Sequence, residues 1–184
     1  MNMRYLILIL ILLSSVSCSE RYKVRRMMRD FTKSTVVIPE DLEYVYKREI
    51  RDIDFNELSS NKLIIYYDTL DCVSCKVSHI VENQALFDMA DTCDFSVLLV
   101  FSPRFEDMDE LRSHLMMSGH KFPVYIDVNH SFCAENPQIP ADVRFHSFLI
   151  NEDGFPYFVG NPMSDDALFK LFISVIDNTN TMSL

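Results

Sequence analysis

Two continuous apolar stretches, Leu63-Ile64-Ile65-Tyr66-Tyr67 and Phe95-Ser96-Val97-Leu98-Leu99-Val100-Phe101, constrain this chain more than anything else in it. Each is short, rich in β-branched and aromatic residues, and lacks the alternation of a half-exposed strand. Each therefore reads as a strand covered on both faces. Between them a helical stretch opens at Asp71 or Cys72, with Val77, Ile80 and Val81 at i, i+3 and i+4. Two strands joined through a helix run parallel, because the crossover returns the chain to the same end of the sheet.

The alternation continues along the chain. Asp107 with Glu110 is a capping-box variant ahead of Met108, Leu111 and Leu115, and Gly119 is placed to end that helix. Phe122-Pro123-Val124-Tyr125-Ile126 predicts a third strand, and Asn136-Pro137-Gln138-Ile139-Pro140 a loop. Phe145 to Ile150 and Pro156 to Val159 flank an Asp153-Gly154 hairpin turn, the second strand lying at an edge or starting at its proline. Ser164 is expected to cap a last helix with Leu168, Leu171, Phe172 and Val175 on one stripe, its Asp165 and Asp166 facing the positive end of the dipole. This order predicts the α/β class: a central mixed sheet, parallel in its first half and flanked by helices on both faces. Ahead of residue 61 the pattern is weaker. Val36-Val37-Ile38-Pro39 reads as a short strand, and Asp41 to Tyr46 as a helical turn or two.

Charge separates the chain into two parts. The net charge is −10, which argues against a nucleic-acid partner, since phosphates need a basic face. Residues 18–33 hold six basic side chains (Arg21, Lys23, Arg25, Arg26, Arg29, Lys33) against Glu20 and Asp30, whereas residues 34–184 hold 10 basic against 25 acidic. A short basic neck leads into an acidic globule. Before the neck, Arg4, the apolar run Tyr5 to Leu13 and Ser14-Ser15-Val16-Ser17-Cys18 read as a bacterial export signal with a small-residue cleavage region. The apolar run is too short to span a bilayer. Ending on cysteine, the segment resembles the lipobox of bacterial lipoproteins, and that resemblance implies cleavage before Cys18 and its acylation. The expected organisation is a signal peptide over 1–17, a lipidated neck and extension over 18–60, a folded domain over 61–178 and a tail over 179–184. The neck is then either a surface for anionic headgroups or a plain spacer.

The chemistry concentrates at Cys72-Val73-Ser74-Cys75, where a buried strand gives way to a helix. The first N–H groups of a helix lack internal partners and carry partial positive charge, which favours a thiolate. Two intervening residues return the second sulfur within one turn of the first. A thiolate at the leading position can attack a disulfide, and the second thiol can release the product. A chain of this size does not need cysteines as a framework. Cys93 and Cys133 read by default as inert core residues, with a disulfide between them the other option.

The whole pattern resembles the thioredoxin-like superfamily, in particular the exported redoxins of the bacterial envelope. The resemblance rests on Asp68-Thr69-Leu70-Asp71-Cys72-Val73-Ser74-Cys75-Lys76, on Phe122 to Asp127 as the extra strand of redoxins, and on Phe148-Leu149-Ile150-Asn151-Glu152-Asp153-Gly154 as their late hairpin. It implies a thioredoxin-like fold with an extra strand and an N-terminal extension. Cys72 would attack and Cys75 resolve, in exchange with thiols or disulfides of envelope proteins, with no organic cofactor. Aligned on the hairpin, Phe145 takes the place of the proline that precedes the late strand in these proteins. That puts Arg144, Phe145 and His146 where substrate would be met. Two other readings stay open: a non-catalytic binding module on the same fold, and a metal site in which His79 joins Cys72 and Cys75 with Cys93 or Cys133.

Overall fold

The computed structural model describes residues 20–52, 54–69, 73–78 and 80–182. The export signal, Cys18, Asp71, Cys72 and His79 lie outside the described residues. After helix α1 (20–31) come strands β1 (Glu43–Tyr46), β2 (Glu49–Asp52) and β3 (Lys62–Tyr67), then helices α2 (Val73–Ser78) and α3 (Gln84–Ala90). Next are β4 (Ser96–Phe101), α4 (Met108–Ser118), β5 (Val124–Ile126), α5 (Ser131–Glu135), β6 (Ser147–Ile150), β7 (Pro156–Val159) and α6 (Asp166–Met182).

The strands form one sheet in the order β2-β1-β5-β4-β3-β6-β7. β3, β4 and β5 are parallel to one another, whereas β6 runs antiparallel to β3 and β7 antiparallel to β6. The order β4-β3-β6-β7 with these directions is the thioredoxin-like arrangement expected from the sequence. β5 is the added strand, and the β1–β2 hairpin extends the sheet beyond it.

Side chains of a strand alternate between faces, so the continuous apolar runs feed two cores. Leu63 and Ile65, Val97, Leu99 and Phe101, Val124 and Ile126, and Leu149 face one side. There they meet Val77 of α2, Leu86 of α3, Leu111 and Leu115 of α4, and Phe172 and Ile176 of α6. On the other side Ile64 and Tyr66, Leu98 and Val100, Tyr125, Phe148 and Ile150 pack against Phe31, Leu42 and Phe132. Burying each such side chain stabilises the fold by roughly 1.5–3 kcal/mol, which is why both faces must be covered.

Several local expectations give way. Asp41 to Tyr46 is no helical turn: Glu43-Tyr44-Val45-Tyr46 is strand β1, paired antiparallel with both β2 and β5. Its aromatic and β-branched residues suit a pleated surface. The turn into β2 uses Lys47 (φ 50°) and Arg48 (φ 65°) in the left-handed region without glycine or asparagine, so the usual hairpin signal is absent. Val36 to Pro39 joins no strand; the Val36 N–H donates to the Gly154 carbonyl at 2.8 Å, and Asn136 bonds both backbone groups of Val37. The basic neck is helical over 20–31, and it ends in the core at Phe31, whose ring meets Phe148 edge-on at 5.1 Å.

The helix ends differ in detail as well. Asp107 makes no side-chain cap; Arg104 takes its carboxylate at 2.9 Å. Gly119 does end α4, at φ 64°. Asp165, not Ser164, caps α6, accepting from the Ala167 and Leu168 N–H groups at 2.9 Å. Val81 and Leu171 point to solvent, and the buried line of α6 runs through Phe172 and Ile176.

Candidate active site

β3 ends at Tyr67 and α2 begins at Val73, so the second half of the dithiol motif lies in α2, while Cys72 is outside the described residues. Cys75 lies in the first turn of α2, and Lys76 sets its ammonium 5.3 Å from the centre of the Tyr67 ring. The β3 end is opposed by the segment 142–147, which the antiparallel pairing of Ile65 with Ser147 brings alongside it.

That segment is built by its own short-range chemistry. Asp142 caps a 3-10 turn (Val143–Phe145), its carboxylate accepting from the Arg144 N–H at 3.1 Å and from the Arg144 guanidinium. Those bonds hold the Asp142 carboxyl down at about 2. Arg144 is therefore committed to Asp142 and to the face of Phe145, 5.5 Å away, although it remains exposed. The residue directly before β6 is His146, one place later than the hairpin alignment suggests. Its carbonyl accepts from the Tyr66 N–H at 2.8 Å, which fixes it across from β3. There is no cis peptide bond among the described residues.

His146 is buried, and its ring lies 5.2 Å from that of Tyr66. Nε2 is 2.9 Å from the Pro140 carbonyl oxygen, which can only accept, so the proton of the neutral ring sits on Nε2. Nδ1 is buried without a hydrogen-bond partner and faces the Asp68 carboxylate at 4.0 Å. Asp68 stands four residues before Cys72. His146 and Asp68 line a cavity of about 490 Å3 together with Tyr66, Thr69, Cys133 and Ile139.

Asp127, Ser102 and Ser131 form a polar cluster that no motif in the sequence marks. Asp127, fully buried at the end of β5, accepts from the Ser102 hydroxyl, from the Ser131 N–H at 2.9 Å and hydroxyl at 3.0 Å, and from the Phe132 N–H at 3.2 Å. It thereby starts α5, the short helix inside the stretch between β5 and the proline-bearing loop. Burial pushes the Tyr66 hydroxyl's pKa up to about 12. An aspartate four residues ahead of a serine was the only available hint. α5 also corrects the reading of Cys133, which is exposed rather than packed; Cys93 is half-buried against the core, and both are free. No group of three or more metal-ligating side chains comes together among the described residues.

The fold has counterparts among solved structures. A proposed protein disulfide isomerase from Bacteroides thetaiotaomicron is 16% identical over 80% of this chain and 90% of its own, with a TM-score of 0.48. StoA from Bacillus subtilis is 17% identical over 66% and 89%, with a TM-score of 0.45. PrxQ from Xylella fastidiosa is 13% identical over 77% and 95%, with a TM-score of 0.49. No family model and no curated protein matches the chain.

Proposed function

We propose that this thioredoxin-like chain carries out thiol–disulfide exchange through Cys72 and Cys75. What supports the reading is Cys75 in the first turn of α2, which follows the inner strand β3; Cys72, three positions earlier in the sequence, lies outside the described residues. A Cys72 thiolate attacks one sulfur of a client disulfide, forming a mixed disulfide and releasing the other client sulfur as a thiolate. The Cys75 thiolate then attacks Cys72, which closes the Cys72–Cys75 disulfide and releases the second client thiol. Two electrons pass to the client, and the reverse sequence oxidises a client dithiol. Both sulfurs hold the electrons themselves, so no cofactor is needed.

The proposed setting is the bacterial envelope, with an acyl chain on Cys18 as anchor. The helical form of the neck supports a surface role: Arg21, Arg25 and Arg29 recur every four residues on α1 as an exposed stripe beside the Met28 and Phe31 side that packs on the core. A basic helix face beside a lipid anchor suits anionic headgroups. The clients are envelope proteins bearing thiols or disulfides.

A Cys75→Ser variant tests the exchange, because it lets the mixed disulfide form and blocks its resolution. Client proteins are expected on this variant, released by reductant and absent from Cys72→Ser. Capture that persists in Cys72→Ser, or no capture at all, refutes it. Labelled fatty acid is expected in the chain and lost with Cys18→Ser; an unlabelled product released from membranes removes the anchor.

A further inference from the structure

We infer that the cavity between β3, α5 and residues 139–141 is a subsite for a lysine side chain of the client polypeptide, held by Asp68 and His146. This inference rests on the exchange reading and adds the class of substrate to it.

The argument starts from the imidazole. Its Nε2–H is spent on the Pro140 carbonyl, so Nδ1 of the neutral ring presents a lone pair. Nδ1 stands 4.0 Å from the facing carboxylate, beyond hydrogen-bond reach. The result is two acceptors side by side, one a buried nitrogen with no donor. Leaving such a group unsatisfied costs free energy that a donor would recover. Asp68 has other contacts as well, and a carboxylate offers about four lone-pair positions.

What satisfies two acceptors at once is a group with several N–H bonds and no lone pair. An ammonium nitrogen about 2.9 Å from each would see them roughly 90° apart, close to the spread of its own N–H bonds. The positive charge also meets the Asp68 carboxylate, giving a charge-assisted bond. Beside this polar pair the lining offers the Tyr66 ring, Ile139, Pro140 and Ala141, with Thr69, His130 and Cys133 completing it. A lysine presents a four-carbon stem to such a lining and an ammonium at its tip. A glutamate would bring a third acceptor, and a norleucine would leave Nδ1 as it is. The site lies a few residues from the attacking thiol, since Asp68 and Thr69 precede Cys72 by four and three positions. A client lysine near the reacting cysteine would thus be read as the sulfurs meet. The acidic globule favours the approach of basic segments as well.

The test uses the full chain and three otherwise identical disulfide-linked peptides carrying lysine, norleucine or glutamate beside the cysteine. At low peptide concentration, lysine should be cleaved about tenfold faster than norleucine, the effect of one charge-assisted hydrogen bond, and glutamate slowest. Asp68→Asn and His146→Gln should each remove most of that preference. A second readout needs no thiol chemistry: the 15N shift of His146 Nδ1 is expected to move saturably with n-butylammonium chloride, also in Cys72→Ser. Equal cleavage of the lysine and norleucine peptides, or no saturable shift, overturns the subsite. Failure to cleave any peptide while the shift saturates overturns the exchange reading and leaves the amine site standing.

Discussion

Replacing Phe31 by alanine probes whether the basic neck is part of the folded unit or only a lead into it. Phe31 is 2% exposed at the last turn of α1, packed edge-on against Phe148 in a core that also holds Leu42, Ile64, Tyr66 and Phe132. Phe→Ala substitutions in such cores cost about 3–5 kcal/mol, because the ring's transfer energy is lost and a cavity stays behind. α1 is joined to the rest at one end, so it can settle partway into the space. We therefore expect about 3 kcal/mol, which at this chain length is a fall in Tm of roughly 6–12 °C. Urea denaturation of the purified chain, followed by far-ultraviolet circular dichroism, measures it, provided m is unchanged. Tyr22→Ala on the same helix is the control: Tyr22 is 67% exposed, and its loss should cost less than about 0.5 kcal/mol. A Phe31→Ala cost below about 1 kcal/mol would refute the packing argument, since a buried aromatic side chain cannot be deleted that cheaply.

Gly154→Ala should destabilise by several kcal/mol in the same assay: its φ is +84°, and a Cβ there would sit 2.6 Å from the Val36 carbonyl oxygen. His120 supplies a pH dependence. Burial holds its imidazole below the ordinary histidine range, so the unfolded chain takes up the proton first. Its contribution is fully present above a pH of about 6.5 and is lost as pH falls through and below that value. Urea midpoints measured across that range should show the fall, and His120→Gln should flatten it. Cys133 should react with Ellman's reagent within the first phase in native chain, and Cys93 later, because the first is exposed and the second half-buried.

The parts of the fold that came through from sequence are those governed by burial on both sides of a strand. Leu63 to Tyr67 and Phe95 to Phe101 could be little else, and their parallel pairing followed from the helix between them. What failed was governed by single polar groups acting over a distance. α5 exists because the Asp127 carboxylate collects the Ser131 and Phe132 N–H groups, and nothing in the local hydropathy announces it. β1 was misread because its turn places Lys47 and Arg48 at positive φ, where a glycine or asparagine would have flagged a hairpin. At the site, the late hairpin points to Arg144, Phe145 and His146, and this segment lies against the end of β3. The facing of His146 and Asp68 was not legible, because it needs the register of β6 on β3, which sets residues 78 apart in sequence side by side.

The outermost strands of the sheet bear on how the molecule behaves in company. A rim of unpaired backbone N–H and C=O groups invites a neighbour's strand to add itself, and growth of that kind has no natural stopping point. Here β2 presents Glu49 and Arg51 to solvent on one rim, on a strand of only four residues. On the other, β7 opens with Pro156, which has no N–H to offer. Both rims are poor templates, so crowding at a surface should bring these molecules together through side chains, if at all, and not by zipping sheet to sheet.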